Sequence, residues 1–169
     1  MFVLVRTIAY ATLFIGLVLV YLPARLLAWS GIVRPTAMGW PQIGGLLVGS
    51  VGAVVALSCV FAFAFIGKGT PAPFDPPRRL VVRWPYRFVR NPMYIGAALA
   101  VAGAALFYKS VALAAFVAGF LLVTHLFVVI YEEPALRRLF GPEYQTYCQR
   151  VHRWLPSLTT ENRSLTTEN

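Results

Sequence analysis

The fold class the sequence predicts is all-α: a polytopic transmembrane bundle of about four helices with a cytoplasmic amphipathic helix at the C-terminal end. Three observations predict it. Hydrophobic residues make up 59% of the chain and charged residues only 12%, where a soluble domain carries roughly 25% charged residues. The apolar residues come in blocks long enough to cross a bilayer, which needs about 20 residues of helix. The basic residues gather on one side of those blocks.

The blocks cover about 2–29, 41–66, 92–108 and 111–131. Spans must be helical, because backbone exposed to lipid has to satisfy its hydrogen bonds internally. A secretory signal is the competing reading of the first block, with a cleavage site near Leu22-Pro23-Ala24. That block has a single early positive charge, Arg6, and three more blocks follow it, so a span is the better reading. The second block carries Gly44, Gly45, Gly49 and Gly52, and the third is rich in alanine around Gly96 and Gly103. Small residues of this kind let helices approach closely in lipid. Only Lys109 and Ser110 separate the third and fourth blocks, which predicts a tight antiparallel hairpin. Residues 1–156 read as one integral membrane domain. The remainder repeats itself, Ser157-Leu-Thr-Thr-Glu-Asn162 recurring as Ser164-Leu-Thr-Thr-Glu-Asn169, and reads as a polar, disordered tail.

With four spans, both termini share a side with the loop at 67–91. Twelve of the fifteen Lys and Arg residues fall there, among them Lys68, Arg78, Arg79, Arg83, Arg87, Arg90, Arg137 and Arg153. Arg25, Arg34 and Lys109 fall on the other side. The positive-inside rule then places both termini in the cytoplasm, which in a prokaryote makes the host membrane the inner one. The net charge of +9 is explained by this topology and by contact with anionic headgroups. Nucleic acid is excluded as a partner, because there is no soluble basic domain to hold it; the partners expected are membrane lipids and an amphiphilic substrate. Cys59 and Cys148 form no CxxC pair or disulfide framework. His125 and His152 stand at unrelated positions, so no metal site is expected.

Polar residues concentrate at the ends of the last two blocks. Trp84-Pro85-Tyr86-Arg87-Phe88-Val89-Arg90-Asn91-Pro92-Met93-Tyr94 precedes and opens the third. Pro92 suits a first helical turn and Asn91 can cap it. Free backbone N–H groups there, beside Arg90, would suit an anion; a plain capped helix with snorkelling arginines accounts for the same residues. Tyr131-Glu132-Glu133-Pro134 closes the fourth block. Two carboxylates at a membrane boundary are costly and oppose the helix dipole, unless Pro134 starts a new short helix and the acids occupy its favourable first turn. His125 lies seven residues before Glu132, two turns along one face. An ionisable residue within a span is a candidate site, although a neutral histidine bonded to a neighbouring helix is the plainer alternative. Beyond Gly141, Tyr144, Tyr147 and Val151 recur at helical spacing, as in an amphipathic helix on the membrane surface.

Arg90-Asn-Pro-Met-Tyr-Ile-Gly96 is followed, after the hairpin, by Glu132-Glu-Pro-x-Leu-x-x-x-Phe-Gly-x-Glu-Tyr-x-x-Tyr147 and by Val151-x-Arg-Trp-x-Pro156. In order and spacing this resembles the isoprenylcysteine carboxyl methyltransferase family, whose wider group includes bacterial phospholipid methyltransferases. The resemblance covers residues 85–156, nearly half the chain. It implies a membrane enzyme that uses S-adenosylmethionine, bound in a cytoplasmic site formed by the hairpin and the C-terminal helix, and a lipid acceptor that enters from the bilayer. Carried onto this sequence, the cofactor site would comprise Tyr86, Arg90, Asn91, Pro92 and Tyr94, with Glu132, Glu133 and Tyr144 opposite. Arg90, Glu132 and His125 would serve the reaction, and an amine acceptor would need a base, for which His125 or Glu132 is the nearest candidate. The family's Arg-His-Pro is Arg-Asn-Pro here. The arginine that the prenylcysteine enzymes carry one turn before the Glu pair is replaced by Phe127-Val128-Val129-Ile130, which points away from a carboxylate acceptor. Two other functions compete with this reading: a nicotinamide-dependent reductase of the related sterol reductase fold, and a non-enzymatic scaffold or transport subunit.

Overall fold

The computed structural model describes residues 12–13, 15–62, 80, 82 and 84–156. Among these residues the protein is all-helical, with no strand. A π-helical stretch, Ile15–Tyr21, leads into α1 (Leu22–Trp29); α2 (Trp40–Ala62), α3 (Pro92–Tyr108) and α4 (Val111–Phe127) follow. A second π-helical turn, Val128–Glu132, joins α4 to α5 (Glu133–Arg150). The early part of the first block, Arg6, Lys68, Arg78, Arg79, Arg83 and the repeated tail lie outside the described residues.

Both π stretches end two residues before a proline, Pro23 and Pro134. A proline donates no N–H, and its ring crowds the carbonyl four residues back. Those carbonyls belong to Leu19 and Ile130, and the chain relieves the crowding by widening the turn that contains them. Pro134 therefore does not open a separate helix, as the sequence suggested. Glu132 and Glu133 both keep helical dihedral angles (φ −68°, ψ −50° and φ −63°, ψ −44°), and the helix runs on through them. The break comes instead at Gly141, where φ 51° and ψ −124° suit a residue without a side chain.

Among the described residues, two helices are long and apolar enough to cross a membrane, α2 and the one that begins at Val111; α1 and α3 are apolar but shorter. From Val111 to Glu132 the helical rise is about 30 Å, roughly the thickness of a hydrocarbon core.

The α3–α4 hairpin turns at Lys109, which adopts a left-handed conformation (φ 50°), and at Ser110, whose buried Oγ caps α4 by accepting from Leu113 N at 3.3 Å. Helices α2 and α3 meet backbone to backbone. A Cβ added to Gly45 would lie 2.6 Å from the Gly103 carbonyl oxygen, and one added to Gly96 would lie 2.7 Å from Ala56 N. Gln42, buried near the start of α2, donates from Nε2 to the Phe107 carbonyl at 3.0 Å, a polar tie between the same two helices. On the other side of α3, Val101 and Ala105 pack with Leu113 of α4 and with Leu26 and Leu27 of α1. These contacts leave the start of α3 and the far end of α4 side by side.

Candidate active site

The polar residues of the described chain converge where α3 begins. Pro92 fills the first helical turn and is buried. Asn91 precedes it but makes no capping hydrogen bond, contrary to the sequence expectation. Its Nδ2 donates instead to the Arg153 carbonyl at 3.2 Å, because residues 151–156 leave α5 and return across the start of α3. The Arg90 N–H, just before the helix, donates to the His152 carbonyl at 2.9 Å, so the same segment lies beside the first turn of α3.

Glu133 lies at the centre. Its Oε1 accepts from Arg90 Nη1 at 3.0 Å and from Arg153 Nε at 2.7 Å. Its Oε2 accepts from Arg153 Nη2 at 2.9 Å, and Arg137 stands 4.0 Å away. The paired Arg153 bonds form the planar fork that a guanidinium offers a carboxylate. Burial pushes the Glu133 carboxyl up, but the Arg153 hydrogen bond and the charges of Arg90, Arg153 and Arg137 outweigh it, so the group lies below its ordinary value. The hydrogen bond to Glu133 raises Arg153 in turn.

Glu132 is placed differently. Its Oε2 accepts from the Tyr94 hydroxyl at 3.1 Å, which ties the end of the π turn to the first turn of α3. That is its one hydrogen bond among the described residues. The Nε of Arg90 is buried and has no hydrogen-bond partner there either.

The remaining residues singled out in the sequence divide. Tyr86 is buried against Cys59 and Ala62 at the end of α2, and its carbonyl accepts from the Tyr147 hydroxyl at 2.6 Å. Tyr144 is buried with Tyr147 and Val151, the two rings 6.1 Å apart. Two of the three tyrosines expected to line a cofactor site, Tyr86 and Tyr144, thus pack inside cores. The Nδ1 of His125 accepts from Trp154 Nε1 at 3.0 Å. Its bonded partner is in the returning segment and is not Glu132. The π turn between the two residues adds width to the helix and breaks the seven-residue register that had put them on one face.

Sequence reasoning left Arg153, Trp154, Tyr147 and Cys148 out of the site. Cys148 Sγ lies 2.9 Å from Arg90 Nη1. The available signal was the closing Val-x-Arg-Trp-x-Pro, a strongly polar and aromatic run just past the end of a helix.

A family model described as phospholipid methyltransferase matches residues 40–143, more than half of the chain. The chain belongs to the phospholipid methyltransferase family. The resemblance noted in the sequence is borne out. Methyl transfer and a lipid-type substrate are what membership of this methyltransferase family implies, in keeping with two helices able to cross a membrane. The match takes in α2, α3, α4 and the first part of α5, and ends before the segment that carries Arg153 and Trp154. No curated protein and no solved structure matches the chain.

Proposed function

We propose that this phospholipid methyltransferase family member transfers a methyl group from S-adenosylmethionine to a lipid amine or similar neutral or amine-bearing amphiphile at the cytoplasmic boundary of the membrane. The observation that carries this reading is that the start of α3 meets the adjacent glutamates, Tyr94 on Glu132 and Arg90 on Glu133, at the open end of a helix hairpin that the family model covers.

The residues fit the cofactor. It carries a carboxylate, for which the buried and unpartnered Nε of Arg90 is a donor. It also carries an ammonium and ribose hydroxyls, for which Glu132 has acceptor capacity beyond its bond from Tyr94. When bound, the cofactor supplies an electrophilic methyl on a sulfonium, open to in-line displacement. The protein's part is alignment and exclusion of water. An ammonium acceptor has no lone pair and must first lose its proton. Glu132 is the proposed base: Tyr94 holds Oε2 and leaves Oε1 to take the proton. His125 is less suited, because the Nδ1 lone pair is engaged by the Trp154 indole, which can only donate.

The topology proposed with this function has four spans in one domain, with both termini and the site in the cytoplasm. The twelve-to-three division of basic residues supports it. Reporter fusions after Asn91 and after Pro156 should report cytoplasm, and a fusion at Lys109 the opposite side; a C-terminus outside the cytoplasm overturns the assignment. Calorimetry of purified protein with S-adenosylmethionine tests the cofactor. A methyl-transfer screen over lipid amines, prenylcysteines and small amphiphiles tests the acceptor, and efficient methylation of a prenylcysteine carboxylate would refute the amine reading.

A further inference from the structure

The two adjacent glutamates where the second π-helical turn meets α5 have different surroundings. Glu133 is 5% exposed. A carboxylate offers about four acceptor sites, and three are already filled by Arg90 Nη1, Arg153 Nε and Arg153 Nη2. Glu132 is half-buried and accepts one hydrogen bond among the described residues, from Tyr94.

Three consecutive residues of the returning segment are tied to the residues that lead into α3, to the start of α5 and to α4. The His152 carbonyl accepts from Arg90 N. Arg153 spans the site, its guanidinium on Glu133 and its carbonyl on Asn91 Nδ2. The Trp154 indole donates to His125 in α4, the rings 6.0 Å apart. Val151 is buried with Tyr144 and Tyr147 and anchors the root of the strap, but beyond it Leu155 is exposed, so the position of residues 152–156 depends on these polar ties. The fork to Glu133 is the strongest of them, being doubly bonded and charged on both sides.

We propose that Glu133 and Arg153 are positioning residues that latch the strap 151–156 across the start of α3, and that Glu132 is the carboxylate of the pair that meets the ligand. The latch keeps Arg90 and Asn91 in place for the cofactor and holds the strap over the site as a wall. This assignment rests on the methyltransferase reading for what the site binds, while the latch itself rests on geometry alone.

The test uses the full chain in detergent, with two measurements on each variant. One is the rate of tryptic cleavage after Arg150, where the strap begins; the other is calorimetric affinity for S-adenosylmethionine. Arg153→Ala and Glu133→Gln should each speed that cleavage tenfold or more and weaken cofactor binding by the same factor, and the double variant should go no further than either one. Arg153→Lys, which keeps the charge but loses the fork, should recover only part of the protection. Glu132→Gln should weaken binding while the strap stays as protected as in the native chain. If Glu133→Gln loses affinity with the strap still protected, Glu133 is itself a ligand and the division of roles is wrong. If cleavage is unchanged in both latch variants, the strap is not latched and the proposal fails. A native chain that does not bind S-adenosylmethionine would overturn the methyltransferase reading, yet the cleavage rates would still decide the latch. Should Glu133→Gln fail to fold, Arg153→Ala carries the test alone, because Arg153 is partly exposed beyond the last helix.

Discussion

Along its length α3 meets α2 backbone to backbone, Gly52 against Gly96 and Gly45 against Gly103, whereas at its start it meets the C-terminal segment through ions, Arg90 and Arg153 on Glu133. The seam and the latch hold the same helix by opposite means. In lipid no hydrophobic force draws two apolar helices together, and close approach of small residues supplies the contact. Such a seam has no charge to titrate and nothing to exchange with water or ligand. The latch is directional, lies where the helix leaves its apolar stretch, and stands beside Glu132 and Arg90, groups that a polar ligand can use. The seam therefore suits a scaffold and the latch suits a site.

The largest expected effect lies in the seam. Gly103→Val would drive side-chain atoms into the backbone of Gly45 and Gly49. Overpacking of this kind costs on the order of 3 kcal/mol or more where backbone blocks relaxation, and little monodisperse protein should be recovered by size exclusion. Gly44→Ala, with open space around it, should behave as the native chain does. Equal recovery of the two would show that the seam does not set the fold.

Next is the open end. Glu132→Gln should lower methyl transfer to an amine by about 10²-fold, the usual scale for loss of a general base, while the melting temperature stays near native. The deficit should shrink as pH rises and free amine accumulates. A pH-independent deficit would make Glu132 a binding group without a proton to move. Arg90→Ala should weaken S-adenosylmethionine binding about tenfold, or roughly 1.4 kcal/mol, by calorimetry. Unchanged affinity would remove Arg90 from the site.

Smaller effects sharpen the role of the strap. His125→Ala and Trp154→Phe break one neutral hydrogen bond from opposite sides, so turnover should fall by similar factors worth about 1 kcal/mol. A hundredfold loss in His125→Ala alone would restore the histidine as the base. The Glu133 carboxyl lies below its ordinary value. Its contribution to stability is thus complete above the usual glutamate range and is lost as pH falls beneath about 4. Acidification through that window should lower the melting temperature of the native chain more than that of Glu133→Gln.

Much of the scaffold was legible along the chain. The helix from Pro92 to Tyr108 and the turn at Lys109 and Ser110 fall where the apolar blocks and their two-residue gap put them. The second block, about 41–66, starts within a residue of α2, which runs from Trp40 to Ala62; residues 63–66 lie outside the described residues. Charge at a membrane boundary and the family pattern mark Arg90, Tyr94 and the glutamate pair, and the structure bonds Tyr94 to Glu132 and Arg90 to Glu133. Arg153 was not marked, because an arginine past the end of a helix reads as one more basic residue until its carboxylate partner, twenty residues earlier in the chain, is seen. His125 was linked to Glu132 because a uniform 3.6-residue period was assumed, and Pro134 breaks that period four residues before its own position.

By itself the sequence determined that the chain is helical and lipid-facing, where its helices turn, and to which family it belongs. These follow from composition, block length and local motifs, all properties of neighbouring residues. Only the tertiary structure decided which glutamate is saturated and which keeps acceptor capacity, and that Asn91 holds the strap and does not cap a helix. Those outcomes depend on which donors reach a given oxygen, and here the donors come from α3, α5 and the last residues described, brought together by packing that leaves no mark in any one stretch of sequence.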